Sequence, residues 1–472
     1  MRDMPELSIK HNLKIVPYHY QQQGIAKGLE LKRFINGDEP GLGKTFQAAA
    51  TVDIANAFPC LVICPSSLKI NWQREFDKFT HRKALVLNDS VKTTWNYLLE
   101  MKTYDIAIVN YESLKKFFVW DVPKKNWRLK DVVFSPYIRM FKSVIIDESH
   151  RVKDTGAQQT KFTKGICIGK EYIILLSGTP VVNRPGDLIS QLAIMDRLKE
   201  FGGVGGFYLN YCSGDKEASN LQELQESLYD KCFFRREKKE VLTELPEKTR
   251  CDIYTDITNR DEYDVAYQDL EKYLREYKQA TEWEIKRKLK NEALVKFMAL
   301  RGICAKGKIK YVIDYVRDFT STGKKLILFC SLHDIVDDLK KAFPKALSVT
   351  GRDSPTMKQY AVDAFQNDDS RKLIICSIKA AGVGLTLTAA SDVAFIEFPW
   401  TYADCCQCED RAHRIGAKYP VTCRYFLGQG TVDGRIYNMI QSKRNIANTI
   451  VGANDDIPED TQYFNELINS IT

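Results

Sequence analysis

One stretch fixes what the rest of the chain has to fold around. Asp38-Glu39-Pro40-Gly41-Leu42-Gly43-Lys44-Thr45 follows a short apolar run and opens directly into the helix-like stretch Phe46 to Ala57. A turn of this kind is built to hold phosphate. Gly41 and Gly43 admit backbone angles that point successive N–H groups inward, and the start of the following helix adds its partial positive charge. Lys44 supplies a full charge that reaches β- and γ-phosphates, and the Thr45 hydroxyl is placed to ligate the Mg²⁺ that bridges them. Asp38 departs from the strict G-x-x-x-x-G-K-[ST] pattern by standing where the first glycine belongs. An accidental glycine-rich helix start is the competing reading.

A second motif counts against that accident. Val144-Ile145-Ile146 is an apolar strand that delivers Asp147 and Glu148, followed by Ser149 and His150, at its C-terminal end, where open α/β sheets bind ligands. Asp147 would hold Mg²⁺ through water, and Glu148 would orient and deprotonate the water that attacks a γ-phosphate. A solvated acidic turn is the bland alternative, disfavoured downstream of Gly-Leu-Gly-Lys-Thr. Ahead of the loop, Gln21 is a candidate to pair its amide with both hydrogen-bonding edges of adenine, set against an ordinary surface glutamine run.

A chain of 472 residues exceeds what one hydrophobic core usually supports, so two or three domains are expected. Lys and Arg outnumber Asp and Glu by 69 to 61, a net charge of +8, compatible with a polyanionic partner without demonstrating one. The 13 cysteines are odd in number and mostly scattered, which argues for reduced thiols in an intracellular protein. Cys405-x-x-Cys408, with His413 nearby, is the one ligand-like spacing, but it has no matching second pair, and structural thiols are the better reading. No run of about eighteen successive apolar residues is present, so a secreted or membrane-spanning protein is not expected.

Apolar runs at Cys60–Cys64, Ala84–Leu87, Asp105–Val109 and Tyr172–Leu176 alternate with helical patterns, including one that carries Trp72 and Phe76. This rhythm specifies a parallel sheet covered on both faces. It breaks from about Gly186 to Cys304, where Phe201 to Phe207 reads as a flexible loop and Asp261 to Arg301 as long polar helices. The basic residues of Phe233 to Glu240 could meet phosphates or form a solvated helix face. Alternation resumes from Lys308, with strands at Leu326–Cys330, Leu373–Cys376 and Val393–Ile396, and this second α/β lobe has no Gly-x-Gly-Lys-Thr of its own. It carries Ala380 to Thr386 and then a helix from Gln407 to Arg414, in which Arg411 and Arg414, three apart, share one face. They are either surface ion-pair arginines or arginine fingers for a γ-phosphate held by the other lobe.

Taken in order, Tyr20-Gln21, Asp38 to Thr45, Asp147 to His150, Ser177 to Pro180, Gly382 to Leu385 and Gln407 to Gly416 resemble the superfamily 2 helicases of the Swi2/Snf2 (SNF2) family, most of all its HARP-like annealing-helicase branch. The likeness runs from about Pro17 to Lys443 and includes Arg235-Arg236 followed by Leu245-Pro246-Glu247-Lys248. Pro40, Thr386 and Ala417 replace a usual Met, Asn and Gln, none of them a charged catalytic group.

The resemblance implies an α/β fold of two RecA-like parallel-sheet lobes with helical protrusions between them. The lobes would span 1–185 and 306–450, with protrusions and linker at 186–305 and a tail at 451–472. ATP and Mg²⁺ would be the cofactors, with Gly384 added to the nucleotide site. The partner would be double-stranded DNA, tracked without sequence preference through phosphate contacts. Ser66, Ser67, Lys69, Asn110, Tyr111, Lys379 and Thr386 are the DNA-binding candidates. A DNA-associated protein of the cytoplasm is expected, or of the nucleus in a eukaryote, with a partner protein possible for targeting. A strand-separating DNA or RNA helicase shares the same motifs. A nucleic-acid-binding scaffold switched by ATP is disfavoured because Lys44, Asp147, Glu148, Arg411 and Arg414 are all present.

Overall fold

Runs of Val, Ile and Leu too short for a helix, and apolar on both faces, pair as buried parallel strands. The computed structural model describes residues 5–6, 11–178, 185–213, 219–242, 246–279, 283–381, 385–399 and 402–438. The chain divides into two compact units, Met1–Thr243 and Glu244–Thr472.

The strands of the first unit are β1 (Arg33–Asn36), β2 (Cys60–Cys64), β3 (Ala84–Val86), β4 (Ile106–Asn110), β5 (Val119–Asp121), β6 (Val133–Phe134), β7 (Ser143–Asp147), β8 (Tyr172–Leu176) and β9 (Phe233–Phe234). Seven form one sheet in the order β3-β4-β2-β7-β8-β1-β9, parallel throughout, while β5 and β6 make a small antiparallel pair. Leu61, Ile63, Val109, Ile146 and Leu175 share a core with Phe118, Phe141 and Phe162. In helix Lys69–Phe79, Trp72 and Phe76 stand four apart and are fully buried, which fixes the face turned to the sheet.

The second unit repeats the plan with β10 (Lys248–Thr255), β11 (Leu326–Cys330), β12 (Leu347–Val349), β13 (Leu373–Ser377), β14 (Asp392–Phe395) and β15 (Val421–Gly428). Their order is β10-β15-β14-β11-β13-β12, again all parallel. The expected pair of parallel-sheet lobes is therefore what forms, with long helices Arg260–Gln279 and Trp283–Ser321 in the second unit. Buried ions hold this unit together. Glu409 accepts from Arg250 Nε and Nη2, both at 2.6 Å, and from the Tyr425 hydroxyl at 2.8 Å, with Lys248 Nζ at 3.0 Å. Burial pushes the Glu409 carboxyl up, but Lys248 and Arg250 outweigh it and hold the group below its ordinary value. Cys405 and Cys408 pack into the adjoining core, where burial pushes both thiols up.

Two local expectations need correction. Phe201 to Phe207, read as a flexible loop, is the end of a short turn followed by helix Gly203–Tyr211. Glycine costs a helix about 0.5–1 kcal/mol per residue, whereas burying Phe207 and Tyr211 four apart returns about 1.5–3 kcal/mol for each large side chain. The helix expected to reach Arg414 stops at Glu409, because bonds such as Arg411 N to Cys408 O and Ala412 N to Glu409 O tighten the chain into turns. Among the described residues no helix is long and apolar enough to cross a membrane.

Candidate active site

In a parallel sheet all strands deliver their ends to one edge, and four neighbours here end level. Asp147 of β7 lies beside Leu176 of β8, Leu176 beside Asn36 of β1, and Asn36 beside Phe234 of β9. With strands about 4.8 Å apart the row spans roughly 15 Å. The next residues along, Glu148, Ser177, Gly37 and Arg235, consequently emerge together at the carboxyl edge.

The loop after β1 adopts the shape its glycines allow, with φ of +93° at Gly41 and +77° at Gly43, and Gly43 caps helix Lys44–Ile54. The Lys44 ammonium donates to Asp38 O at 2.6 Å. Burial lowers its pKa; Glu148 and Asp38 oppose that shift and Arg235 adds to it. Thr45, half-buried, follows at the helix start. The Asp38 carboxylate is an internal anchor for the loop. It is 0% exposed and accepts from Arg236 N and Nε at 3.0 Å each, from Arg236 Nη2, and from Gln47 Nε2 at 2.9 Å. Arg236 itself, 6% exposed, is thus neither part of a solvated helix face nor a free phosphate contact. Gln21 does reach the loop, since a Cβ on Gly43 would lie 2.6 Å from its Nε2. Both ends of its amide are engaged by protein: Oε1 accepts from Tyr18 N at 3.1 Å, and Nε2 donates to Tyr20 OH at 3.3 Å and Leu42 O at 3.4 Å.

Asp147 Oδ2 accepts from Trp72 Nε1 at 2.8 Å and Oδ1 from Glu148 N at 2.9 Å. Burial, with the Glu148 carboxylate beside it, pushes the Asp147 carboxyl up to about 7. Glu148 takes the left-handed conformation at φ +52°, a strain that a non-glycine residue bears when surrounding structure imposes it, often at a functional site. Its Oε2 is 3.4 Å from His150 Nδ1, which lies 3.3 Å from Ser177 Oγ, so the acidic pair is connected to the end of β8.

In the second unit Arg411 Nη1 and Arg414 Nη1 both donate to Leu385 O, at 3.4 and 3.3 Å, so the two side chains converge even though the helix has ended. Gly384 and the Lys379 side chain lie outside the described residues, as do Thr179 and Pro180. Thr386 is half-buried.

The remaining DNA candidates divide by exposure. Ser66 is exposed and Ser67 half-buried, in a turn after β2. Lys69 turns its ammonium onto Leu87 O at 3.3 Å, and burial lowers its pKa. Asn110 is buried and donates to Glu112 at 2.8 Å. Tyr111 as a surface contact is contradicted: it is 1% exposed and its hydroxyl donates to Asp147 O at 2.6 Å, supporting the carboxylate strand from inside. Sequence reasoning missed Trp72 as the Asp147 donor and Arg236 as the Asp38 partner. The only signals were the aromatic on a core-facing helix and the aspartate in a glycine's place.

A positive-φ glycine turn, its lysine and a strained acidic pair on one edge of a parallel sheet define a phosphate-loop protein. The comparisons name the family. The SNF2-related domain model matches residues 20–309 and the helicase conserved C-terminal domain model residues 307–416, and the chain belongs to the SNF2-related family. It is 30% identical over 457 residues to the SWI/SNF-related matrix-associated actin-dependent regulator of chromatin subfamily A-like protein 1 homolog of Caenorhabditis elegans, covering 93% of this chain and 62% of that protein. It is 29% identical to the human DNA annealing helicase and endonuclease ZRANB3, covering 94% of this chain and 41% of that one. The chain therefore spans only part of these relatives. Among solved structures it is similar to the Sulfolobus solfataricus SWI2/SNF2 ATPase core in complex with dsDNA, at 24% identity and a TM-score of 0.44, covering 93% of this chain and 94% of that one.

Proposed function

We propose that the chain is an ATP-hydrolysing motor that translocates on or remodels duplex DNA. The observation that carries this reading is the level row of strand ends that brings the phosphate loop, Lys44, Asp147 and the strained Glu148 to one edge. ATP is the substrate, with its phosphates on the N–H groups of Gly41 to Thr45 and on Lys44, and with Gln21 toward the adenine once its local bonds exchange. Thr45 and Asp147 would hold Mg²⁺; their oxygen donors suit that ion, which keeps water and phosphate ligands rather than needing a protein cage. Among the described residues no three His, Cys, Asp or Glu side chains are grouped to hold a metal. When bound, the ion neutralises charge on the β- and γ-phosphates. Glu148 orients the attacking water and takes its proton.

Arg411 and Arg414, with Gly384, belong to the second unit and complete the site when the lobes 1–185 and 306–450 close on the nucleotide in a cleft between them. Residues 186–305 act as protrusions and linker, and the expected tail at 451–472 lies outside the described residues. DNA bound to both lobes favours closure, which is how it stimulates hydrolysis. Ser66, Ser67, Lys69, Asn110, Lys379 and Thr386 are the candidate phosphate contacts. The names of the relatives, annealing helicases and chromatin regulators among them, support DNA as the partner and a DNA-associated location, with targeting by a partner protein.

The test is the ATPase rate with duplex, single-stranded and forked DNA and with RNA, alongside triplex displacement and strand separation. Duplex DNA is expected to stimulate without sequence preference, each neutralised phosphate adding about −0.9 to the slope of log K against log salt. Stimulation by single strands alone, or separation of a plain tailed duplex, would replace this reading with a strand-separating helicase.

A further inference from the structure

Arg235 stands one residue past the end of β9, and its side chain is only 10% exposed. Nη1 donates to Gly37 O at 3.0 Å and to Gly178 O at 2.7 Å, so the guanidinium bridges the segments that follow β1 and β8. Nε is buried with no hydrogen-bond partner among the described residues. Nη2 lies 3.9 Å from Glu39 Oε1, an ion pair beyond hydrogen-bond reach. The Nε/Nη2 edge is one that grips a carboxylate or phosphate through two parallel hydrogen bonds. A buried guanidinium whose Nε makes no hydrogen bond is costly, and bridging two carbonyls does not require a cation.

Gly178 lies between two cations. Its carbonyl holds Arg235, while a Cβ on its other side would lie 3.8 Å from Lys44 Nζ. Their repulsion falls when an anion enters beside both. Lys44 serves the β- and γ-phosphates, and Gly178 follows Ser177, which His150 connects to Glu148. Water attack guided by Glu148 falls on the terminal phosphate.

We infer that Arg235 is a nucleotide-binding residue whose Nε/Nη2 edge takes an oxygen of the terminal phosphate held by Lys44. This rests on the reading of the loop as an ATP site and adds to it a first-unit cation that distinguishes triphosphate from diphosphate. Arg236, its neighbour, is taken up by Asp38, Tyr20 O and Gln47 Oε1.

The test is calorimetric binding of ADP and of a non-hydrolysable ATP analogue to the full chain. Arg235→Gln keeps an N–H donor for the carbonyls and loses the charge; Arg235→Lys keeps the charge and loses the paired edge. Arg235→Gln is expected to bind the analogue about 10-fold or more weakly with ADP affinity within about 2-fold, and Arg235→Lys to fall between it and the parent. An unchanged analogue-to-ADP ratio in either variant that folds, judged by its melting temperature without nucleotide, overturns the inference and leaves Arg235 a structural tie. Because each variant is decisive alone, failure of one to fold does not end the test. A parent chain that binds neither nucleotide overturns the ATP reading itself, a distinguishable result.

Discussion

Arg236→Ala is expected to damage the first unit far more than an ordinary arginine truncation, because of what it leaves behind. Asp38 is 0% exposed and takes Arg236 Nε and Nη2 as charged donors. After truncation it keeps Gln47 Nε2, at 2.9 Å, and the backbone N–H of residue 236, at 3.0 Å. Neither carries a charge. Removing one partner of a buried pair costs about 3–5 kcal/mol, against about 5–15 kcal/mol for the net stability of a whole domain. The variant also frees Tyr20 O and Gln47 Oε1, which accept from Arg236 Nη1 and Nη2.

Urea denaturation followed by tryptophan fluorescence suits this measurement, since Trp72, Trp95, Trp120 and Trp127 all belong to the first unit. The distinguishing arm is Asp38→Asn added to Arg236→Ala. If the stranded charge is the cause, the double variant is more stable than Arg236→Ala by at least about 1 kcal/mol, although each single change is destabilising. A loss below about 1 kcal/mol for Arg236→Ala, or strictly additive losses in the double variant, refutes the buried-pair reasoning.

Three further outcomes are expected. Glu148→Gln should retain ATP binding and lose about 10²-fold or more in DNA-stimulated turnover, and parental turnover would remove Glu148 from the role of base. Arg414→Ala and Arg411→Ala should keep ATP affinity within a few-fold while losing most stimulated turnover, since an arginine at a γ-phosphate is worth about 10³–10⁵ in rate; robust turnover by the double variant would end the two-lobe mechanism. The depressed Glu409 carboxyl makes stability pH-dependent with a definite sign: its contribution is complete above the ordinary unfolded value of about 4.3 and is lost as pH falls from there through the lower folded value. The melting-temperature gap between the parent and Glu409→Gln should therefore narrow in acid, and a gap constant from pH 7 to 3 would contradict the assignment.

Strands whose burial is continuous were legible because composition alone marks them. Cys60–Cys64, Tyr172–Leu176 and Leu326–Cys330 form as expected to the residue. β10 escaped notice for the opposite reason. Lys248-Thr249-Arg250-Cys251-Asp252 alternates charge with polar groups, and its place in a sheet is decided by the Glu409 pair and by β15 alongside, neither of which local patterning contains. Helix Gly203–Tyr211 was hidden by its glycines, although the Phe207 and Tyr211 spacing was present to be read.

The site divides along the same line. Gly41, Gly43, Lys44, Asp147 and Glu148 lie within two short motifs whose spacing carries their chemistry, and the sheet only has to bring the two motifs to one edge. Arg235 and Arg236 belong to no such local pattern, since Arg236 stands 198 residues from Asp38 and Arg235 stands 57 from Gly178. Sequence reading leaves a basic run open between a solvated face and a phosphate contact, because Lys and Arg are almost never buried without a partner. The partner was nevertheless visible as an anomaly, an aspartate in the position of the loop's first glycine. A phosphate loop that places a carboxylate beneath its own lysine would repel its ligand unless another cation neutralised that carboxylate. The strand that leads out of the first unit supplies that cation in Arg236, and sets Arg235 beside the phosphate site in the same step.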